Sequence, residues 1–310
     1  MRNACQNQIF ELAKKNSKVL FIGSDLGAGV QDLLKEKLPN QFMMEGVSEQ
    51  FIIGFATGLA SEGYIPYINT ISTFLTRRCY EQIVIDACLH NQKLRLIGNG
   101  GGLAYSALGP THLAVDDISI MRIIPNMTVV AVADKQEMIN MMQATIEWPY
   151  PIYIRLGKGG EKIISKKYKF KFGKTTTYNK GSDFIFISTG IMTEKCIEIA
   201  KMFKAININI GIIHCPTIQP LNFSEILKVI KKNTKAIFTF EDNYISGGFG
   251  SLILEKLNEH NLTKNIFIKN FGIKKNFISK YGTQEELLKH CKLDVGSLFK
   301  QIKKNINENC

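Results

Sequence analysis

The sequence predicts an α/β protein built from two doubly wound domains, each a mainly parallel sheet covered by helices on both faces. Three observations predict it. Short runs rich in Ile, Val and Phe alternate with longer amphipathic stretches from residue 18 to 156, and the same alternation resumes at residue 183. Between the two series, residues 161–182 lose the pattern and become basic and polar. A length of 310 residues accommodates two separate cores. The expected division is therefore a first domain over 1–160, a linker over 161–182 and a second domain over 183–310.

In chain order, residues 18–25 (Lys-Val-Leu-Phe-Ile-Gly-Ser-Asp) form a short strand ending in Gly23, Ser24 and Asp25. Such an end faces the ligand crevice of a parallel sheet. An amphipathic helix follows over 30–38. The stretch from Glu45 to Ala60 starts a second helix near Ser48, in which Gly54, Ala56, Gly58 and Ala60 alternate with bulky apolar residues. With almost no charged face, this helix is expected to be buried. Strands are expected at 64–71, 94–98, 127–132 and 152–155, and helices at 74–90, 117–123 and 135–146. A glycine-rich loop follows residue 98. In the second domain, strands are expected at 183–190, 206–214, 236–241 and 266–270. Helices are expected up to residue 203, near 223–231, over 250–259, and from Gln284 and Gly296.

Apolar residues make up 45% of the chain and charged residues 21%, ordinary for a globular protein. No apolar run reaches the roughly 18 residues that a membrane-spanning helix needs, and the first residues lack an apolar signal core. The seven cysteines are odd in number and form no C-x-x-C pair, which argues against a disulfide framework and fits a reducing cytoplasm. The net charge of +12 sits entirely in the second half: residues 1–160 hold 14 basic and 14 acidic residues, and the rest hold 25 and 13. Without a recognition motif, that excess reads as a solvated lysine surface and not as a nucleic-acid site.

Chemistry concentrates in the first domain. Glu49 lies in the first turn of a helix that is otherwise apolar, and a buried carboxylate needs a partner. Either the helix's own amides stabilise it, or it hydrogen-bonds a ring nitrogen of a bound heterocycle. Further on come Ser72-Thr73-Phe74-Leu75, Tyr80, and Gly109-Pro110-Thr111-His112. In this order the motifs resemble the pyrimidine-binding and C-terminal domains of the transketolase family. Its relatives include 1-deoxyxylulose-5-phosphate synthase and the β subunits of 2-oxoacid dehydrogenases. The resemblance covers nearly the whole chain.

The resemblance implies thiamine diphosphate as cofactor, with Glu49 sharing a proton with its aminopyrimidine ring. It implies that Phe74 stacks on that ring and that Tyr80 lines the same pocket. For isolated residues, the alternative is that both are core at helical spacing. Asp25 matches a family aspartate near the thiazolium end, or else caps the following helix. His112 matches a substrate-facing histidine that assists proton transfer, where a lone histidine is more often structural. Arg155 matches an arginine that grips a sugar phosphate, and Arg77 reaches the same funnel. The acidic and glycine-rich run 240–250 resembles a structural turn of the C-terminal domain.

Three polar positions of the family pattern are lost. Leu108 stands where an aspartate is expected, Gly100 where a histidine is expected, and Gly29 in place of a serine. These losses point away from the usual pentose phosphates and toward a specialised sugar pathway. No Gly-Asp-Gly followed by an Asn is present to hold the Mg2+ of the diphosphate. The expectation is therefore a separate N-terminal, diphosphate-binding subunit that holds the metal, an α2β2 heterotetramer, and transfer of a two-carbon ketol unit from a ketose to an aldose. The rivals are a 2-oxoacid-decarboxylating subunit like the deoxyxylulose synthase, and a regulatory subunit without catalytic duty.

Overall fold

The structure, a computed structural model, describes residues 1–24 and 30–309, without the side chains of Val30 and Gln31. The strands are β1 (Val19–Ser24), β2 (Phe42–Glu45), β3 (Ile65–Ile71), β4 (Arg95–Asn99), β5 (Thr128–Ala131), β6 (Ile152–Leu156), β7 (Thr176–Asn179), β8 (Phe184–Ser188), β9 (Ile210–His214), β10 (Thr217–Gln219), β11 (Ala236–Tyr244) and β12 (Phe267–Ile273). The α-helices are α1 (Arg2–Lys15), α2 (Val30–Lys37), α3 (Glu49–Ser61), α4 (Tyr80–Gln82), α5 (Asp117–Met121), α6 (Lys135–Ala144), α7 (Met192–Lys204), α8 (Phe223–Leu227), α9 (Phe249–Glu259), α10 (Gln284–His290) and α11 (Val295–Asn309).

Two sheets result. The first has the order β10-β5-β6-β4-β3-β1-β2, parallel except for β10 against β5. The second has the order β12-β11-β8-β9-β7, parallel except for β7 against β9. Strands β1, β4, β5 and β6 are buried along their whole length, which is why they read as continuous apolar runs and not as alternations. In the first sheet the chain moves from β1 outward to β2 and returns through α3 to β3 on the other side. The strand order therefore reverses at β1 and β3, and ligands of such sheets bind outside the strand ends at that reversal.

The sequence reading and the structure differ in several places. Helix α1 escaped notice because its buried residues, Ala4, Cys5, Ile9 and Ala13, are mostly small and give a faint apolar stripe. The four-residue edge strand β2 was also missed. Within the expected linker 161–182, the Thr176–Asn179 segment is an edge strand of the second sheet. Strand β10, from the second half of the chain, pairs with β5 in the first sheet. The segment expected to be one helix over 74–90 has π-helical turns at Phe74–Arg78 and Ile83–Leu89, on either side of α4.

Helix α3 also departs from the expectation of full burial. Ile52, Ile53, Ala56 and Ala60 face the sheet. On the opposite side Phe51 is 60% and Phe55 37% exposed, their rings stacked at 5.8 Å. Gly54 and Gly58 there have open space where a Cβ would stand. The apolar second face exists as the sequence indicates, but nothing among the described residues covers it.

The two domains are joined by buried polar contacts. Glu137 of α6 accepts from the backbone N–H of Ala133 and the hydroxyl of Tyr168, and it meets His214 Nε2 of β9 at 2.8 Å. His214 Nδ1 in turn meets Thr193 of α7. Arg155 at the end of β6 reaches across to Asp242 of β11. No helix among the described residues is long and apolar enough to cross a membrane.

Candidate active site

Glu49 is the first residue of α3 and 3% exposed. Phe74 opens the π-helical turn that follows β3. The π geometry admits one more residue per turn than an α-helix and recurs at functional sites. Here it turns Phe74 toward His112, whose ring lies edge-on at 5.2 Å. His112 Nδ1 is 2.8 Å from the Thr111 hydroxyl. Arg78 joins the group: its Nη1 donates to Glu49 Oε2 at 2.8 Å, and its guanidinium carbon lies 4.2 Å from the centre of the Phe74 ring. Burial and the neighbouring Glu49 charge push the Cys79 thiol up to about 12, so it stays protonated beside the acid.

Arg78 thus links Glu49 to Phe74, and Phe74 in turn meets His112. Arg77 has its Nε and Nη2 held by Asp116, and Nη2 also donates to the Leu113 carbonyl. Tyr80 is half-buried against the core of the first domain and makes no ring contact with Phe74 among the described residues. Asp25 and Gly29 lie outside the described residues. At the end of β3, Asn69 Nδ2 and Thr70 Oγ1 are buried without a hydrogen-bond partner among the described residues, as is Thr73 Oγ1 just beyond it.

Arg155 is placed differently from what a phosphate ligand requires. It is 5% exposed; Nε donates to Asp117 Oδ2, Nη1 to Asp242 Oδ1, and Nη2 to the carbonyls of Ala114 and Asp242. Burial disfavours its charge, but Asp117 and Asp242 outweigh burial and hold its pKa above the ordinary value. Its fork is spent inside the protein, and a phosphate would have to break one of these pairs.

The glycine loop explains two of the lost polar positions. A Cβ on Gly100 would stand 2.2 Å from the Tyr105 ring, and Gly100 has φ +80°, so the ring lies where a side chain at 100 would go. Leu108 is 51% exposed at the mouth of the same loop. Gly101 makes room for Arg155 and Gly102 for Asp242.

Arg78, Tyr105, Asp117 and Asp242 escaped the sequence reading. For Arg78 a signal was present: it stands four residues after Phe74, the spacing that brings two side chains onto one helical face, in a half of the chain with no basic excess. Further away, burial pushes the Glu241 carboxyl up to about 8, against the Gly250 and Phe249 amides that favour its charge. A raised folded-state pKa means that the folded protein keeps this proton while the unfolded chain loses it. Stability should therefore fall as pH rises from about 4.5 toward 8. Replacing Glu241 with Gln should flatten that slope in denaturation curves taken across this range.

Residues 1–160 match the transketolase pyrimidine-binding domain, and residues 173–298 match the transketolase C-terminal domain. The chain belongs to the transketolase family. It is 33% identical over 96% of its length to 1-deoxy-D-xylulose-5-phosphate synthase of Caldanaerobacter subterraneus subsp. tengcongensis, of which it covers 47%. It thus spans about half the length of the synthases it matches. A protein of Methanocaldococcus jannaschii described as a transketolase C-terminal section is 29% identical over 97% of this chain and 95% of its own length. A split-gene transketolase solved as an inactive β4 tetramer superposes with a TM-score of 0.90 at 27% identity, covering 100% of this chain and 99% of that one. The chain is therefore similar, over nearly its whole length, to a transketolase C-terminal section and to a split-gene transketolase.

Proposed function

We propose that this chain is the small subunit of a two-chain transketolase that uses thiamine diphosphate. The observation that carries the proposal is a buried acid, Glu49, linked through Arg78 to the face of Phe74, with the imidazole of His112 edge-on to the same ring. The donor set suits the pyrimidine half of the cofactor: an acid for a ring nitrogen, an aromatic face for a flat ring, and unpartnered buried polar atoms at the end of β3. When bound, the cofactor supplies a carbon nucleophile that accepts a two-carbon unit from a ketose and delivers it to an aldose.

In this reading Glu49 hydrogen-bonds the pyrimidine and moves a proton at its ring nitrogen, and Phe74 orients the ring, with Tyr80 and Asp25 as further cofactor contacts. His112 donates to the substrate oxygen next to the reacting carbon. Arg77, fixed by Asp116, faces the anionic end of the sugar. Arg155 holds the two domains in register behind the glycine loop. The diphosphate and its Mg2+ fall to a second subunit, in an α2β2 assembly. Two facts support a partner: a split-gene transketolase superposes on this chain over nearly its whole length, and among the described residues Phe51 and Phe55 on the second face of α3 stay exposed.

A second reading, decarboxylation of a 2-oxoacid, is favoured by the 33% identity to the deoxyxylulose synthase. Combining the chain with its diphosphate-binding partner, thiamine diphosphate and Mg2+ should give two-carbon transfer from a ketose phosphate to an aldose. Release of carbon dioxide from pyruvate in its place would select the second reading. Absence of any cofactor-linked rise in melting temperature in the assembled protein would refute both.

A further inference from the structure

The acid and the aromatic face assigned above to the cofactor ring already share an occupant. Arg78 donates to Glu49 Oε2 at 2.8 Å while its guanidinium lies on the Phe74 ring, 4.2 Å from the centre. A guanidinium is planar, cationic and edged with N–H donors. An aminopyrimidine presents a comparable flat face and an N–C–N edge that pairs with a carboxylic acid. Among side chains, arginine comes nearest to that shape and chemistry.

We infer that Arg78 is a built-in stand-in for the cofactor's pyrimidine, holding its position in the isolated chain and swinging out when the ring binds. The inference rests on the function proposed above. Its neighbour makes the contrast: Arg77 is fixed by Asp116 and the Leu113 carbonyl, whereas Arg78 has Glu49 as its one hydrogen-bond partner among the described residues. Arg78 is 41% exposed and Glu49 3%, so the arginine can rotate into solvent while the acid stays where it is. An ion pair with one exposed partner is weak enough to exchange. Until exchange occurs, it spares Glu49 from standing buried and unpaired. Ring binding would then compete with a contact inside the protein, and the apparent affinity falls by the fraction of chains in which Arg78 has left.

Ligand-observed NMR titration of the full chain with thiamine, which carries the aminopyrimidine without the diphosphate, tests this directly. Arg78→Ala should bind thiamine roughly two- to fivefold more tightly than the natural chain, as loss of a competing half-exposed ion pair predicts. Arg78→Lys, which keeps the charge but loses the plane, should fall between them, and it serves alone if the alanine variant does not fold. Glu49→Ala should lose binding in either background. Equal or weaker binding in the Arg78 variants, with the Glu49 dependence intact, overturns the stand-in and leaves the cofactor reading standing. Binding indifferent to Glu49 in every variant, or no binding in any, overturns both.

Discussion

Glu49→Gln should remove two-carbon transfer from the assembled enzyme by roughly 10²- to 10⁴-fold, the range in which a positioned acid or base contributes. The substitution keeps the size of the side chain and an oxygen able to accept from Arg78, so the fold and the subunit contacts should survive. Glutamine cannot donate and recover a proton at the ring nitrogen as a carboxyl can. The measurement is steady-state transfer with both chains, thiamine diphosphate and Mg2+ present. Cofactor retention should be followed separately, to distinguish failed chemistry from failed binding. A variant with unimpaired turnover would remove Glu49 from the mechanism.

Arg155→Met should destabilise the chain by about 3–5 kcal/mol in denaturant unfolding, the cost of leaving buried charge without its partner. The methionine fills the volume of the stem but leaves Asp117, fully buried, and Asp242, 1% exposed, facing each other without a cation. Because Asp117 belongs to the first domain and Asp242 to the second, the loss should appear as weakened coupling between domains. Adding Asp117→Asn and Asp242→Asn to the methionine variant should recover most of the stability, since uncharged groups ask less of a dry site. A single substitution tolerated within about 1 kcal/mol would mean that the pairs contribute little net energy, a known outcome for some buried ion pairs.

Much of the fold was legible because its signals are local. Runs such as Phe-Ile-Phe-Ile-Ser at 184–188 and the apolar stripe of α9 announce strand and helix without reference to anything distant. The candidate site was legible to the extent that it is carried by short motifs at fixed places, namely Glu49 in its helix, Phe74 after a strand and His112 after a turn. What stayed hidden depends on contacts between residues far apart in the chain. Arg155 and Asp242 are separated by 87 positions, so nothing near Arg155 shows that its fork is already engaged. The burial of α3 was half right for a related reason. An apolar helix face says that something must cover it, and composition alone does not say whether the cover belongs to the same polypeptide.

Strand β10 has a consequence for how the chain can be divided. Its three residues come from the half that builds the second sheet, yet they cap the free margin of β5 in the first. A fragment stopping at Gly160 keeps every parallel strand of its own sheet but bares one flank, where the main-chain donors and acceptors of β5 invite another molecule to add itself. The boundary between the family domains is thus a boundary in sequence and not one at which the polypeptide can be cut cleanly, and the second half acts as guardian of the first.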